Sequence, residues 1–380
     1  MAMQEHLDAS GPAAGRRTPP TARRTPSAVR RIPSAVRGLV ARVAAVAVLA
    51  TSVTATAAAA PAGPGDRAAP AKPLNLLVVG TDGRDTITPR QKKAYRLGGE
   101  ACNCTDTIML VHVAANRRWV SAVSLPRDTL AQLPDGHVDQ RTGEQHPAHP
   151  GKINSGFAEG GTPLAVQVIE QSTGVPVDGV LDVDFSRFMK AVDAAKGVPV
   201  CTDRPMHDPA TGINLSPGTH RLAGGPALQY VRSRKVDNRA DFGRIQRQQR
   251  FVTALLGELM KPKDWTSVGR LAKVAAALSP ADSGTGRMST RELLDLAVSL
   301  RHLKLRDLTF ATLPIQGFHP LIDGVGSTLA VDEAQAAAVF RTFTDDVPLE
   351  RARTSEPVRN QSPGPRPVTF APVKASQLAC

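Results

Sequence analysis

The first short apolar run of the chain, LNLLVVG at residues 74–80, ends in a glycine and has the length of a buried strand. The loop that follows, TDGRD at 81–85, therefore stands at a strand's carboxyl end, where ligand-binding loops of α/β sheets collect. Next come DTIMLVHV (106–113), the polar turn AANR and RWVSAVSLPRDT (118–129), a pattern that predicts a β-hairpin. If Val113 pairs with Arg118, antiparallel register sets Asp106 opposite Leu125. Asp106 then becomes a neighbour of Arg127 and Asp128 at one sheet edge.

Beyond the hairpin the pattern alternates. Residues 134–151 are rich in His, Gly, Pro and charge, lack periodicity and read as a loop, and GKINSGFAEGG leads into a helix from about Pro163 to Ser172. Residues 180–201 give a strand, a helix stopped by Gly197 and a second strand; 202–224 read as loops. GPALQYVRSR (225–234) starts a short helix with Pro in its first turn, and a long helix runs from Asp241 to Met260. Helices near 289–302 and 332–343 flank a strand at about Leu308–Leu313, and the Pro/Arg-rich residues 346–380 read as a disordered tail. Alternating strands and helices predict one α/β or mixed α+β domain over 74–345.

The amino-terminal residues change the cellular setting rather than the fold. Eight Arg precede residue 43, opposed only by Glu5 and Asp8, so much of the net charge of +13 lies in residues 1–37. Proline in each of the units RRTPPTA, RRTPSAV and RRIPSAV forbids a helix there, and the tail is expected to be disordered. Residues 38–60 contain VAAVAVLATSVTATAAAA, uncharged from Val43 to Ala60, which reads as a single-pass anchor with its Arg-rich flank in the cytoplasm. A signal peptide cleaved near Ala57–Ala59 is the alternative. In both cases the rest of the chain, after a Pro/Gly/Ala linker at 61–73, is exported. Export permits disulfides. Cys102 and Cys104 are too close in sequence for a relaxed bridge, Cys201 with one of them is the easier pairing, and Cys380 is expected to stand outside the fold. No second Cys pair stands beside a His pair at finger spacing, so a zinc site is not expected.

The chemistry concentrates in RSRKVDNRADFGRIQRQQRF, residues 232–251. On a wheel of 100° per residue with Asp241 at zero, Val252, Leu255, Leu256 and Leu259 fall between about −40° and +60°, the core-facing stripe. Asp241, Arg244 and Gln248 extend that stripe, whereas Arg247 and Arg250 lie near about 240° and 180° and are expected to be solvated. Asp241 and Arg244 are either an i, i+3 ion pair or part of a ligand site. Arg232 and Arg234 alternate, so an extended segment turns both to one face as a fork for phosphate oxygens. With Asp82, Asp106 and Arg127 they suit a hard divalent cation bridging a pyrophosphate. Aromatic residues make up 4% of the chain and offer no stacking platform, so nucleic acid is not an expected partner.

The loop Gly80, Asp82, Arg84 followed by TDTIML, SLPRDT, KIN, YVRSR and DFGRIQRQQ, in this order after one membrane segment, resembles the LytR-CpsA-Psr family of cell-wall glycopolymer transferases from about residue 74 to 262. The resemblance implies a mixed α/β domain, its central sheet flanked by helices, with an apolar channel for a polyprenyl chain. It also implies transfer of a polyprenyl-pyrophosphate-linked anionic glycopolymer, teichoic acid or another wall polysaccharide, to peptidoglycan with release of polyprenyl phosphate. Residue by residue, it assigns Asp82 and Asp106 to Mg2+ or Mn2+. It sets Arg127, Arg232, Arg234, Arg244 and Gln248 on phosphate oxygens, and gives Asp241 the task of orienting the arginines. One position departs from the family pattern: Cys104 stands where an Arg is common, so either one phosphate contact is missing or Arg84 or Arg127 covers for it. The alternatives are a binding protein for the same lipid or wall polymer, and a lipid-pyrophosphate hydrolase.

Overall fold

The computed structural model describes residues 71–99, 104–261, 268–279, 286–352 and 371–380. The predicted tail at 1–37, the anchor at 38–60, most of the linker, and residues 353–370 lie outside the described residues. Among the described residues no helix is long and apolar enough to cross a membrane.

The strands are β1 (Leu74–Thr81), β2 (Thr105–Val113), β3 (Val120–Ser124), β4 (Leu130–Leu133), β5 (His137–Val138), β6 (Gln145–His146), β7 (His149–Lys152) and β8 (Gly179–Val183). They continue with β9 (Val198–Thr202), β10 (Met206–Asp208), β11 (Ile213–Leu215), β12 (Gly218–Leu222), β13 (Leu308–Thr312), β14 (Ile315–Phe318), β15 (Leu329–Val331) and β16 (Val373–Lys374). The helices are α1 (Pro89–Ala94), α2 (Ser155–Thr173), α3 (Phe185–Ala194), α4 (Gly224–Arg232) and α5 (Ala240–Leu259). After them come α6 (Val268–Leu278), α7 (Thr290–Ser299), α8 (Glu333–Thr344) and α9 (Ala375–Leu378).

Six strands form the central sheet in the order β16-β13-β3-β2-β1-β8. The β1-β2-β3 meander is antiparallel, and β8 and β13 join its two sides in parallel. Alternation along β1 and β2 divides the core between two faces. Leu77, Val79, Ile108 and Leu110 pack with residues of α2 and α8 on one side. Leu76, Met109 and Val113 pack toward α5 and α7 on the other. Local signals agree with these elements. Asp184 caps α3 by accepting the Arg187 N–H at 2.8 Å, and Gly174 ends α2 in the left-handed region. Helix α2 starts at Ser155, earlier than its periodicity predicts, because Gly161 (φ 62°) joins two helical pieces across a kink just before Pro163.

Three expectations are corrected. Val113 pairs with Val120 rather than Arg118, because the turn is longer by two residues; the same register extended carries Asp106 to Arg127 instead of Leu125. Residues 346–380 are not wholly a tail. Val373 and Lys374 pair with Phe310 and Thr309, adding an edge strand that covers β13, and Lys374 forms an ion pair with Glu350. Cys380 belongs to the fold: it is disulfide-bonded to Cys201, 179 residues away, so Cys201 does not pair with Cys102 or Cys104. The predicted loop at 134–151 also carries the short pair β5-β6 and leads into β7, which pairs with β4.

Candidate pyrophosphate site

The β1-β2 pair supplies two carboxylates. Gly80 pairs with Thr107 and Thr81 with Thr105, so Asp106 is the extra residue of a β-bulge. Asp82 follows β1 directly; its backbone N–H donates to the Cys104 carbonyl at 3.4 Å and its Oδ1 accepts the Cys104 N–H at 3.3 Å. Cys104 therefore serves through its backbone, and its sulfur is disulfide-bonded, so it replaces none of the cationic contacts expected at that position.

Three guanidiniums converge on Asp106 Oδ1: Arg127 at 2.5 Å, Arg244 at 3.1 Å and Arg234 at 3.2 Å. Burial opposes the charge on Asp106, but these cations, Arg244 foremost, overcome it and hold the carboxyl below its ordinary range. Asp241 accepts a hydrogen bond from Arg244 at 2.9 Å and forms an ion pair with Arg234 at 3.3 Å, closing a second bridge between the same two arginines. Asp241 and Arg244 are thus both an i, i+3 pair and part of the cluster. Arg244 is 2% exposed, which fixes its guanidinium.

A second group forms beside Asp82. Arg84 reaches Asp82 at 3.3 Å and donates to the Gly98 and Gly99 carbonyls at 2.5 and 2.6 Å. Arg232 lies over the Phe185 ring at 4.9 Å and Arg84 over the same ring at 6.0 Å. Arg232 Nη1 is buried without a hydrogen-bond partner. Burial, and then the neighbouring charge of Arg84, lowers the Arg232 pKa; burial with Arg244 and Arg127 lowers that of Arg234. Counting both groups among the described residues, five guanidiniums meet four carboxylates, Asp128 included through Arg127 at 3.6 Å, which leaves one positive charge in excess. Such a surplus, with a buried donor turned to no protein acceptor, fits an anion.

The segment carrying Arg232 and Arg234 is held by residues the wheel did not single out. Buried Asp208 accepts the N–H groups of Arg234 at 2.8 Å and Lys235 at 3.0 Å. Arg247 donates to the Ser233 carbonyl at 2.7 Å and pairs with Asp237 at 2.6 Å. Arg247 is therefore buried, not solvated, whereas Arg250 is exposed as expected. The wheel assumes burial on one side, but the 233–239 loop folds over the amino-terminal turns of α5 and buries a second face. Gly243 makes this approach feasible, since a Cβ there would land on the Asp237 carboxylate. Gln248 is buried along the stripe, and its amide donates to the Val231 carbonyl at 3.4 Å, so it also braces the end of α4. Gln249, passed over by the sequence reading, ties α5 to the sheet through Ser124 and the Ala311 carbonyl, both at 3.0 Å.

The family comparison agrees with this geometry. The LytR_cpsA_psr family model matches residues 45–344. The chain belongs to the LytR-CpsA-Psr family. LytR-CpsA-Psr relatives include the cell wall biosynthesis protein LcpA of Corynebacterium glutamicum, 29% identical over 70% of this chain and 55% of LcpA. Another is the polyisoprenyl-teichoic acid–peptidoglycan teichoic acid transferase TagU of Oceanobacillus iheyensis, 26% identical over 68% of this chain and 72% of TagU. The chain spans about half the length of LcpA. Among solved LytR-CpsA-Psr folds, B. subtilis TagV superposes with a TM-score of 0.55 at 22% identity, covering 73% of this chain and 97% of TagV. That likeness establishes the shared mixed α/β fold.

Proposed function

We propose that this protein transfers a polyprenyl-pyrophosphate-linked anionic glycopolymer to peptidoglycan at the outer face of the membrane. The observation that carries the reading is Arg232, a buried cation with an unpartnered Nη1 beside a second cation, on the same site as the Asp106 cluster. A donor pyrophosphate supplies the missing charge and acceptors. The relative TagU of Oceanobacillus iheyensis is a polyisoprenyl-teichoic acid–peptidoglycan teichoic acid transferase, which supports this substrate class. The disulfide between Cys201 and Cys380 supports export.

In the proposed reaction an acceptor hydroxyl on peptidoglycan attacks the polymer-bearing phosphorus. A new oxygen–phosphorus bond forms, the bond to the bridging oxygen breaks, and polyprenyl phosphate leaves, with the hydroxyl proton passing to the departing phosphate or to water. Arg127, Arg234 and Arg244, preorganised by Asp106 and Asp241, stabilise charge that grows on the transferring and leaving phosphates, while Arg232 and Arg84 hold the pyrophosphate. Asp82, just after β1, and Asp106, the bulged residue of β2, are hard oxygen donors that suit a Mg2+ ion. When bound, that ion would add electrostatic stabilisation of the phosphates. A cavity of about 340 Å³ lined by Leu125, Leu130, Ile153, Leu313, Val331 and Phe340 starts two positions from Arg127 and offers apolar lining for part of the prenyl chain.

The test is to give the purified chain a polyprenyl-pyrophosphate-linked donor and a peptidoglycan acceptor. Polymer attached to peptidoglycan supports transfer. Free phosphorylated polymer without attachment would make it a hydrolase, and tight donor retention with neither product a binding protein.

A further inference from the structure

Three of the chain's nine histidines lie between residues 137 and 149, in a segment that the proposed reaction does not use. The fold gathers them. His137 stands directly opposite His146 in the β5-β6 pair, and β7, paired with β4 through Leu133 and His149, brings the third ring alongside. The ring centroids form a triangle with sides of 5.4, 5.6 and 5.7 Å. Helix α2 adds the buried Glu159, and one ligand atom from each of the four residues lies within 4.8 Å of all the others.

The hydrogen bonds around the cluster fix which atoms face its centre. His137 Nδ1 is 2.8 Å from the Pro134 carbonyl and His149 Nδ1 is 3.1 Å from the Pro150 carbonyl. A carbonyl can only accept, so both Nδ1 atoms carry the proton, and in neutral imidazole Nε2 is then a lone pair. Yet Nε2 of His137 and of His149 point at Glu159 Oε2, at 3.0 and 3.3 Å. His149 Nε2 is buried and makes no hydrogen bond of acceptable geometry despite that distance. A proton can bridge His137 Nε2 and Glu159 Oε2, which are at hydrogen-bond geometry, but it leaves His149 Nε2 facing the same carboxylate oxygen without a partner. Separate protons would set imidazolium rings against one another across less than 6 Å, whereas one divalent ion satisfies all the donors together.

We infer that His137, His146, His149 and Glu159 bind one zinc-class transition-metal ion. Zinc bonds of about 2.0–2.1 Å in tetrahedral geometry separate ligand atoms by roughly 3.4 Å. The 3.0 and 3.3 Å separations from Glu159 Oε2 are close to that value. Nitrogen-rich ligation selects zinc over magnesium, which the oxygen donors Asp82 and Asp106 suit instead. Four protein ligands leave no open position, so the ion is structural. The carbonyls on His137 and His149, and Arg141, 4.0 Å from Glu159 Oε1, orient the ligands. The ion clamps β5, β6 and β7 onto α2. At the end of β7, Lys152 pairs with Asp128 at 2.9 Å, and Asp128 flanks Arg127 at 3.6 Å, so the clamp steadies one wall of the pyrophosphate site. This departs from the expectation of no zinc site, which rested on finger spacing alone; these ligands come from three strands and a helix.

The experiment loads the full chain with Zn2+ or Co2+, removes free ion, and measures bound metal by elemental analysis, the cobalt spectrum and Tm. Expected are one ion per chain, the intense visible bands of tetrahedral cobalt, and a Tm raised by about 5 °C with excess zinc. His146→Ala and Glu159→Gln should each lose the retained ion and the Tm rise, while Asp106→Asn should keep both. Sub-stoichiometric metal in the wild type, an octahedral cobalt spectrum, or undiminished binding in both His146→Ala and Glu159→Gln would overturn the inference. His146 lies on a surface hairpin, so its variant reports on metal even if Glu159→Gln impairs folding.

Discussion

Arg247 reaches across from α5 to the Ser233 carbonyl at 2.7 Å, and so fastens the residue that separates Arg232 from Arg234. The same guanidinium pairs with Asp237, which leaves it 8% exposed. Arg247→Ala should destabilise the fold by about 2–4 kcal/mol, because it strands a carboxylate and a buried carbonyl. It should also lower turnover by at least about tenfold through a displaced arginine fork. Arg247→Lys should recover little, since an ammonium cannot serve both acceptors with the guanidinium's planar geometry. Urea unfolding and transfer kinetics check this, and wild-type behaviour in Arg247→Ala would refute it.

Arg232→Ala should behave in the opposite way. Its pKa is lowered on folding, so the charged form is disfavoured in the folded protein, and no protein acceptor meets its Nη1. Removing the side chain should leave Tm unchanged or slightly higher while transfer falls by about 10²–10³. A large loss of stability with little loss of transfer would show that Arg232 is structural.

Acid should act on Asp106 in a defined window. Its carboxyl titrates below the ordinary 3.8 when folded, so its contribution to stability is complete above that pH and is lost as pH falls through the lower folded value. The stability gap between wild type and Asp106→Asn should therefore be widest near neutrality and shrink below pH 3.8. Denaturant titrations at pH 7, 5 and 3 measure the gap; one that stays constant contradicts the ionised cluster.

The disulfide between Cys201 and Cys380 ties the segment bearing β16 to β9. Cys380→Ser and Cys201→Ser should each lower stability by about 2–5 kcal/mol, and the double variant by no more than either. Additive losses would mean that the two thiols act separately.

Much of the site is legible in sequence because its parts sit at strand and helix ends whose patterns are strong. The apolar run before Asp82, the hairpin joining Asp106 to Arg127, and the i, i+3 spacing of Asp241 and Arg244 can each be read locally. The burial of Arg247 is not legible in this way, because a wheel knows nothing of the loop that folds over α5. Asp208 holds the fork from a stretch without periodicity, 26 residues before Arg234, and only tertiary structure brings them together. The pairings of β16 and Cys380 were hidden for the same reason: two strand residues beyond a Pro-rich stretch give no periodic signal.

The bulge at Asp106 has a consequence for how this site can be lost. Because the alternation of β2 is interrupted once, between its core residues and its carboxylate, deleting Thr105 alone would leave Thr107 opposite Gly80 and every core position beyond it in place. Asp106 would slide into regular pairing with Thr81 and leave its bulged position. Loss of a single codon could thus silence the cluster while the sheet stays intact, which makes strand length, as much as residue identity, the thing that selection must guard here.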